Sequence, residues 1–197
     1  MIKNHLFILF CLFTVSCSFL NYDDILVISK QSLLGVPKVQ VDDDLLSSFS
    51  ESVLILNIGK IQSSIFTLQK VNNGRYYWNS KNFETIITDR YGKINATYGL
   101  KYNNEVIESD FDLASKEYKS LVIFQNPTAL VEQHVELSVD VNSSGLKQLH
   151  ETIEIERLRQ TWENLYEYDE YNFPVRTIQK THPNLPKIEM SFYFKFN

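Results

Sequence analysis

Hydrophobic and polar residues alternate over long stretches of this chain. Between Val131 and Val141 every second residue is apolar apart from Gln133, and the residues between them are polar or charged. The tail repeats this pattern from Ile188 to Phe196, with apolar residues on one face and hydrogen-bonding residues on the other. A strand with one apolar face packed on the core (the dry face) and one polar face in contact with solvent (the wet face) is typical of an antiparallel sheet. Both segments are therefore predicted to be strands of such a sheet.

Tight-turn sequences separate further apolar runs of strand length. Asn72-Asn73-Gly74 and Asp89-Arg90-Tyr91-Gly92 are hairpin signals, and Asn142-Ser143-Ser144-Gly145 follows the first alternating segment. Many strands, short turns and few helices predict a mainly β fold, a large antiparallel sheet curled into a barrel-like domain. The predicted strands, in chain order, are 53–58, 65–71, 75–78, 83–88, 93–98, 131–141, 149–158 and 188–196.

Helix is predicted only near the N-terminus. Residues 23–34 form one helical stretch, which ends at Gly35-Val36-Pro37 because proline biases the preceding residue away from helix. The acidic run Asp42-Asp43-Asp44 has two interpretations, a site for a hard cation or the cap of a short helix at 45–48. Adjacent side chains cannot all face one ion, so the cap is favoured and no metal site is predicted.

The first seventeen residues have the order of a bacterial lipoprotein signal. Lys3 supplies a positive start, residues 6–13 are apolar, and small or medium residues precede Cys17. The apolar core is too short to span a bilayer about 30 Å thick. Two other interpretations are an ordinary cleaved secretory signal and an uncleaved anchor. The favoured organisation is a signal peptide at 1–16, a lipidated tether at 17–22 and a single domain at 23–197.

Lipidation fixes the expected location of the protein. Acyl chains such as palmitate on Cys17 would tether the domain to a membrane. Ser18 follows the cysteine where an aspartate would favour retention in the inner membrane, so the outer membrane of a Gram-negative cell, facing the periplasm, is predicted.

Charge and cysteine content exclude several classes of function. The formal net charge is −5 and no basic run exceeds two residues, so no nucleic-acid partner is predicted. The two cysteines are Cys11, inside the signal, and Cys17. The domain therefore has no thiol for a disulfide, a zinc–thiolate site or a cysteine nucleophile.

Motifs of catalysis are missing from the sequence. It contains no glycine-rich phosphate loop, no His-Glu-x-x-His pair and no Gly-x-Ser-x-Gly elbow. His134, His150 and His182 are widely spaced and are expected to be solvated. The acids between Glu151 and Glu156 are interpreted as the wet face of a strand, although paired carboxylates could serve a glycosidase. The prediction is a non-enzymatic protein without a cofactor.

Two aromatic groups are candidate contacts for a glycan or a partner protein. Tyr76 and Trp78 share one strand face, and Trp162, Tyr166 and Tyr168 share another. Flat rings with a polar tip can stack on sugar rings and hydrogen-bond their hydroxyls. The favoured alternative is that these side chains fill the inside of the curled sheet.

Several motifs together resemble a known family. They are Ser32–Leu45, Arg75-Tyr-Tyr-Trp78, Thr88-Asp-Arg-Tyr-Gly-Lys93 and Asn172-Phe-Pro-Val-Arg176. In this order they are similar to the YjbF/GfcB lipoproteins, which are associated with group 4 capsule and related exopolysaccharide gene clusters. The resemblance spans nearly the whole chain after Cys17.

The resemblance implies a role in polysaccharide export. It implies an outer-membrane lipoprotein with a β-barrel-like domain, acylated at Cys17, that works in secretion or assembly of capsule or exopolysaccharide. The implied partners are an outer-membrane β-barrel secretion protein, a small periplasmic protein and the polysaccharide itself. The resemblance supplies no catalytic residues.

Two rival functions stay open at this point. A curled sheet lined by Phe192, Phe194 and Phe196 could enclose a lipid, which would make the protein a periplasmic carrier of lipid or lipoprotein. A polysaccharide hydrolase would instead need paired acids in a groove beside Trp78 or Trp162.

Overall fold

The structure is a computed structural model that describes residues 36–111 and 114–195. The signal peptide, the tether with Cys17 and the predicted helix at 23–34 lie outside the described residues, as does Phe196. The described strands belong to a compact unit that comprises residues 38–197.

Twelve strands make up most of this unit, together with one short helix, α1 (Asp43–Ser47), and a 3₁₀ turn at Glu156–Leu158. The strands are β1 (Val53–Ile58), β2 (Gln62–Asn72), β3 (Arg75–Ser80), β4 (Thr85–Asp89), β5 (Ile94–Tyr98), β6 (Asn104–Ser109), β7 (Glu117–Phe124), β8 (Ala129–Val141), β9 (Lys147–Ile155), β10 (Gln160–Tyr168), β11 (Pro174–Gln179) and β12 (Ile188–Tyr193).

The strands close into an antiparallel barrel in which each strand pairs with its neighbours in sequence. β12 pairs with β1, from Val53 opposite Tyr193 to Ile58 opposite Ile188, and this pairing completes the ring. The predicted mainly β, barrel-like fold is confirmed. No helix in the described part of the chain is long and apolar enough to cross a membrane.

Because successive hairpins alternate between the two ends of the barrel, each end has its own set of loops. We name one the basic end, formed by loops 59–61, 81–84, 99–103, 125–128, 156–159 and 180–187. We name the other the cleft end, formed by loops 73–74, 90–93, 142–146 and 169–173 and by the described residues 110–111 and 114–116.

Side chains fill the interior in separate clusters. One hydrophobic cluster is centred on β1 and includes Phe66, Trp78 and Met190, all with no exposed surface. A second, on the other side of the barrel, contains Phe124, Val135 and residues of β9 and β10. A wide barrel needs large residues to exclude water from its interior, and the aromatic content of this chain supplies them.

Four hairpins share one five-residue turn. In each, a side-chain oxygen of the first residue accepts hydrogen bonds from the backbone N–H of the third and fifth residues. The fourth residue has a positive φ. This is a type I turn followed by a left-handed residue. The four turns span 80–84 at the basic end and 89–93, 142–146 and 169–173 at the cleft end.

Most predicted strands are present, but the alternating faces differ from expectation in places. On β8, Val131 and Val135 are buried, whereas Val139 and Val141 are more than half exposed. The reason is that β8 and β9 continue beyond β7, whose pairing with β8 ends at Glu117 opposite Glu136. The dry face of β8 is therefore shorter than the alternation predicted.

Four strands have no predicted range, namely β6, β7, β10 and β11, although the aromatic residues of β10 were placed together on a strand face. β11 reverses the usual pattern, because the polar residues Thr177 and Gln179 are buried, whereas Ile178 between them is only partly buried. β6 contains a register shift between Val106 and Glu108, which breaks its alternation.

The acidic run before α1 acts as a helix cap. Asp42 accepts a hydrogen bond from the backbone N–H of Leu45 at 2.7 Å, which satisfies one free donor of the first turn. The favoured interpretation of this run is confirmed.

Candidate functional site

A cleft with a volume of about 630 Å³ opens at the cleft end of the barrel. Its size falls in the range of small-molecule and oligomer sites. Five of the ten lining residues are aromatic and two are basic. They are Tyr76, Arg90, Tyr91, Val139, Lys147, Leu149, Tyr168, Tyr171, Asn172 and Phe173.

Two of the matched turns form the lips of this cleft. Tyr91 and Tyr171 occupy the same position, the third residue, in turns 89–93 and 169–173. In the first turn Asp89 accepts from the N–H of Tyr91 at 2.8 Å, and in the second Asp169 accepts from the N–H of Tyr171 at 2.9 Å. The same local chemistry thus places one tyrosine on each lip.

Gly92 lets these two turns approach each other closely. A Cβ atom at this position would lie 2.9 Å from Cβ of Pro174, which follows the second turn, and 3.2 Å from the ring of Phe192. Its φ of 79° is also one that a side chain disfavours. Glycine therefore permits the contact that joins the two lips.

Rings packed in the barrel mouth support the wall of the cleft. Phe194 lies 6.1 Å from Tyr76, edge to face, and 5.5 Å from Phe173. Trp78 stacks beneath Tyr76 with a centroid distance of 6.4 Å. The hydroxyl of Tyr168 donates to the carbonyl oxygen of Tyr91 at 3.3 Å. The aromatic wall is thus continuous with the hydrophobic core.

Positive charge borders the cleft. The guanidinium carbon of Arg90 lies 4.6 Å from the ring centroid of Tyr91, a cation–π distance. Lys147 donates to the side-chain oxygen of Asn172 at 3.2 Å. None of the described residues that line the cleft is an acid, a histidine, a serine or a threonine.

A buried polar cluster lies one layer deeper, with Glu151 at its centre. One carboxylate oxygen of Glu151 accepts from Lys93 at 2.8 Å and from the hydroxyl of Tyr118 at 2.6 Å. The other accepts from the hydroxyl of Tyr166 at 2.6 Å and from Asn164 at 3.2 Å. With four donors the carboxylate is satisfied although it has only 1% of its surface exposed.

Gln179 connects this cluster to the first lip. Its side-chain nitrogen donates to the carbonyl oxygen of Gly92 at 2.7 Å, and its oxygen accepts from the N–H of Ile94 at 3.0 Å. The hydroxyl of Tyr166 lies 3.4 Å from the same oxygen. The lip that presents Tyr91 is therefore fixed to the centre of the barrel.

Burial shifts several pKa values in this region. Loss of solvent raises the pKa of Tyr166 well above its usual value, and the nearby carboxylate of Glu151 adds to the effect. Burial also raises the pKa of Tyr168, and the negative charge of nearby Asp89 raises it further. Burial raises the pKa of Asp89 to about 6, against the opposing effect of its hydrogen bonds from the turn.

The five aromatic residues singled out from the sequence fall in different places. Tyr76 and Tyr168 line the cleft together. Trp78 and Tyr166 are at most 1% exposed inside the barrel. Trp162 is also buried and packs on Phe124 at 5.9 Å in the second hydrophobic cluster. The role of this group as glycan or partner contacts stays a prediction, and the cleft brings two of the five to one surface.

The cleft also contains residues that the sequence analysis did not single out. Tyr91, Tyr171 and Phe173 come from turns, and Val139 and Leu149 come from the protruding hairpin of β8 and β9. A signal was present in the sequence, because Asp89-Arg-Tyr-Gly and Asp169-Glu-Tyr-Asn repeat the same pattern.

Two expectations about polar residues were wrong. Glu151 was interpreted as part of a wet face, but it shares its side of β9 with Leu149 and Ile153 and points inward, while Glu154 is exposed as expected. His182 was expected to be solvated, but it is fully buried and stacks on Tyr102 at 5.1 Å. Burial lowers the pKa of His182. His134 is exposed as predicted.

The aromatic residues expected to line a lipid cavity are packed against one another. Phe192 lies 5.7 Å from Trp78, edge to face, and 6.0 Å from Phe194, nearly parallel. Side chains therefore occupy the space that a carrier would need inside this part of the barrel.

Comparison with known proteins gives one family and one fold. Residues 29–192 match the family described as "Group 4 capsule polysaccharide lipoprotein gfcB, YjbF". The crystal structure of the hypothetical lipoprotein YmcC from Escherichia coli K12 superposes with a TM-score of 0.65 at 19% identity, over 91% of this chain and 99% of that one. This similarity concerns the fold alone. No curated protein matches the sequence.

The ion pair below the cleft should contribute strongly to stability. We expect Lys93→Met to lower the free energy of unfolding by about 3–5 kcal/mol, because it leaves the carboxylate of Glu151 buried without its cation. Lys119→Met is the matched control, since Lys119 and Glu132 have more than half of their side-chain surface exposed, and it should leave the free energy of unfolding nearly unchanged. Chemical denaturation measures both, and equal losses would contradict a special role for the buried pair.

The raised pKa of Asp89 predicts a pH dependence of stability. The folded state holds a proton on this group up to about pH 6, whereas the unfolded chain releases it near 3.8. Stability therefore falls as the pH rises between these values. We expect Asp89→Asn to be about 2 kcal/mol more stable than the parent near neutral pH and equal to it near pH 4.

Unfolding free energies measured across this range test the prediction. Asp169→Asn is the control, because it removes a carboxylate from an identical turn. A constant difference between Asp89→Asn and the parent at all pH values would contradict the titration of Asp89.

Proposed function

The chain belongs to the YjbF/GfcB family of group 4 capsule polysaccharide lipoproteins, and from this premise we propose that it is a non-enzymatic accessory protein for secretion or assembly of capsule or exopolysaccharide. Lipid on Cys17 holds it at the outer membrane, facing the periplasm. The aromatic cleft is the surface that contacts the polymer.

The main support for this proposal is that aromatic and basic side chains line the cleft. Tyrosine rings on both lips offer flat faces for sugar rings, and their hydroxyls can hydrogen-bond sugar hydroxyls. Arg90 and Lys147 would attract carboxylate groups along an acidic polymer. The cleft is also open at the barrel end, so a chain longer than the cleft can pass over it.

The segments that carry the family resemblance meet at this place. Arg75–Trp78 contributes Tyr76, Thr88–Lys93 contributes Arg90 and Tyr91, and Asn172–Arg176 contributes Asn172 and Phe173. These segments are far apart in sequence and come together through the closure of the barrel. Their convergence supports the cleft as the functional surface.

The composition of the cleft supports a binding role. Glycoside hydrolysis ordinarily needs two carboxyl groups on either side of the scissile bond. The described lining residues contain no carboxyl group. Of the buried carboxyl groups next to the cleft, Asp89 accepts from two N–H groups of its turn and Glu151 accepts from four donors. A polymer held on the aromatic faces would be positioned and left intact.

Tethering explains how a weak contact could be sufficient. A lipid on Cys17 confines the domain to a thin layer at the membrane and raises its effective concentration toward membrane partners. We include among these an outer-membrane β-barrel secretion protein and a small periplasmic protein, as the family resemblance implies.

Variants of the exposed cleft residues test the role in export. We expect Arg90→Ala with Tyr171→Ala to reduce cell-surface polymer several-fold while protein level and membrane location are unchanged, because polymer contact is lost without loss of the anchor. Tyr77→Ala is the matched control, since Tyr77 is adjacent to the cleft residue Tyr76 on β3 but faces the other side of the sheet. Surface polymer is measured in a deletion strain that carries each variant.

Two further measurements separate the parts of the proposal. Cys17→Ala should leave the protein out of the membrane fraction and also reduce surface polymer. Purified protein should leave the length of the isolated polymer unchanged, and shortening of the polymer would show a hydrolase.

Normal export by the Arg90→Ala, Tyr171→Ala double variant would contradict the role of the cleft. Recovery of bound lipid in place of polymer would favour the carrier.

A further inference from the structure

The basic end of the barrel has a charge opposite to that of the whole protein. Its six loops contain seven basic and two acidic residues, whereas the whole chain has a formal charge of −5. None of the seven forms an ion pair with a carboxylate in the described part of the chain. The basic residues are Lys60, Lys81, Lys101, Arg157, Arg159, Lys180 and Lys187, and the acids are Glu84 and Glu156.

Exposed apolar side chains lie on or next to three of these loops. Phe83 is 93% exposed, Ile61 is 62% exposed and Tyr98 is 38% exposed. Ile61 lies in loop 59–61 and Phe83 in loop 81–84, while Tyr98 directly precedes loop 99–103. These segments are close together, because Gln62 donates to Glu84 at 2.6 Å and a Cβ atom on Gly99 would lie 3.1 Å from the carbonyl oxygen of Phe83. Each of the three loops also contains a lysine. Large apolar tips on lysine-containing loops are typical of surfaces that enter the headgroup region of a bilayer.

The backbone of Phe83 makes its position unusual. Phe83 is the fourth residue of turn 80–84 and has a φ of 62°. The equivalent residues of the other three turns are Gly92, Gly145 and Asn172, the residue types that tolerate this conformation. A fully exposed phenylalanine at such a position does not stabilise the fold. Backbone strain at an exposed residue of this kind points to a role in binding and not in folding.

The contacts of the first residues of the compact unit also distinguish this end from the other. Lys38 donates to Glu189 at 2.6 Å, and the N–H of Val39 donates to the hydroxyl of Ser63 at 2.8 Å. Glu189 and Ser63 are the second residues of β12 and β2, both of which begin at the basic end. Lys38 and Val39, the first residues of the compact unit, therefore contact strand ends at the basic end. The cleft end also exposes apolar residues, but it lacks both the excess of basic residues and these contacts.

We propose that the basic end is a membrane-docking surface that lies against the phosphate headgroups of the bilayer in which the lipid on Cys17 is inserted. Phe83 and Ile61 enter the headgroup region, and the lysines contact phosphate oxygens. The aromatic cleft then faces away from the membrane. This inference rests on the lipid anchor of the proposed function, but it requires no contact with polysaccharide.

A pair of matched reporters tests the docking. Asn82 and Ser144 are both exposed and both occupy the third position of matched turns, one at each end of the barrel. The chain after Cys17 contains no other cysteine, so Asn82→Cys and Ser144→Cys each provide one thiol for a fluorophore. The acylated protein is placed in vesicles of phosphatidylethanolamine and phosphatidylglycerol, and quenching by an aqueous ion is measured.

The expected result is a several-fold lower quenching rate at position 82 than at position 144. Replacing phosphatidylglycerol by phosphatidylcholine, or adding salt, should raise quenching at position 82 because the lysines lose part of their attraction. Phe83→Gly should have the same effect while the unfolding midpoint is kept or raised, since glycine relieves the strained backbone.

Three outcomes would overturn the proposal. They are stronger protection at position 144, equal quenching at both positions, and protection at position 82 that survives both removal of anionic lipid and Phe83→Gly. Changing the lipid needs no substitution beyond the two exposed cysteine reporters, so this arm of the test does not depend on the folding of Phe83→Gly.

Discussion

The hydrogen bonds to Glu151 are the constraint on which the rest of the structure depends. Twelve strands enclose a wide interior, and the two large hydrophobic clusters lie on opposite sides of it. Glu151 on β9 accepts from Lys93 between β4 and β5, from Tyr118 on β7 and from Tyr166 on β10. A single carboxylate thus joins separated walls of the barrel. Because an unpaired buried charge is costly, this arrangement also disfavours alternative packings.

The cleft depends on that cluster. Tyr166 and Tyr168 are neighbours on the inward face of β10, so the donor to Glu151 and the cleft residue are positioned by the same strand. Gln179 links the cluster to the turn that presents Tyr91. A rigid floor and matched turns keep the tyrosine rings in place before any ligand arrives, which lowers the entropy cost of binding. The membrane-docking surface lies at the opposite end, so the two surfaces do not compete for space.

Much of the fold could be predicted from the sequence, because strands with one apolar face follow the period of two. β1 has the predicted limits, and β8 and β12 were found from alternation. The prediction failed where interior residues are polar. β11 turns Thr177 and Gln179 inward, and Glu151 points inward on β9, because the buried polar cluster needs them there. Hydropathy cannot separate such residues from solvated ones without knowledge of their partners.

The site was predictable only in part. Tyr76 and Tyr168 were selected for their aromatic character. Tyr91 and Tyr171 are eighty residues apart in sequence, and they line one cleft only because the barrel closes.

The central claim is that the aromatic cleft contacts the polymer. Its most direct test is to titrate the ¹⁵N-labelled protein with oligosaccharide fragments of the polymer of its source strain and to follow the backbone amide resonances. The account predicts shifts concentrated in turns 89–93 and 169–173 and at the adjoining ends of β3 and β10. Shifts confined to the basic end, or none at saturating oligosaccharide, would contradict it.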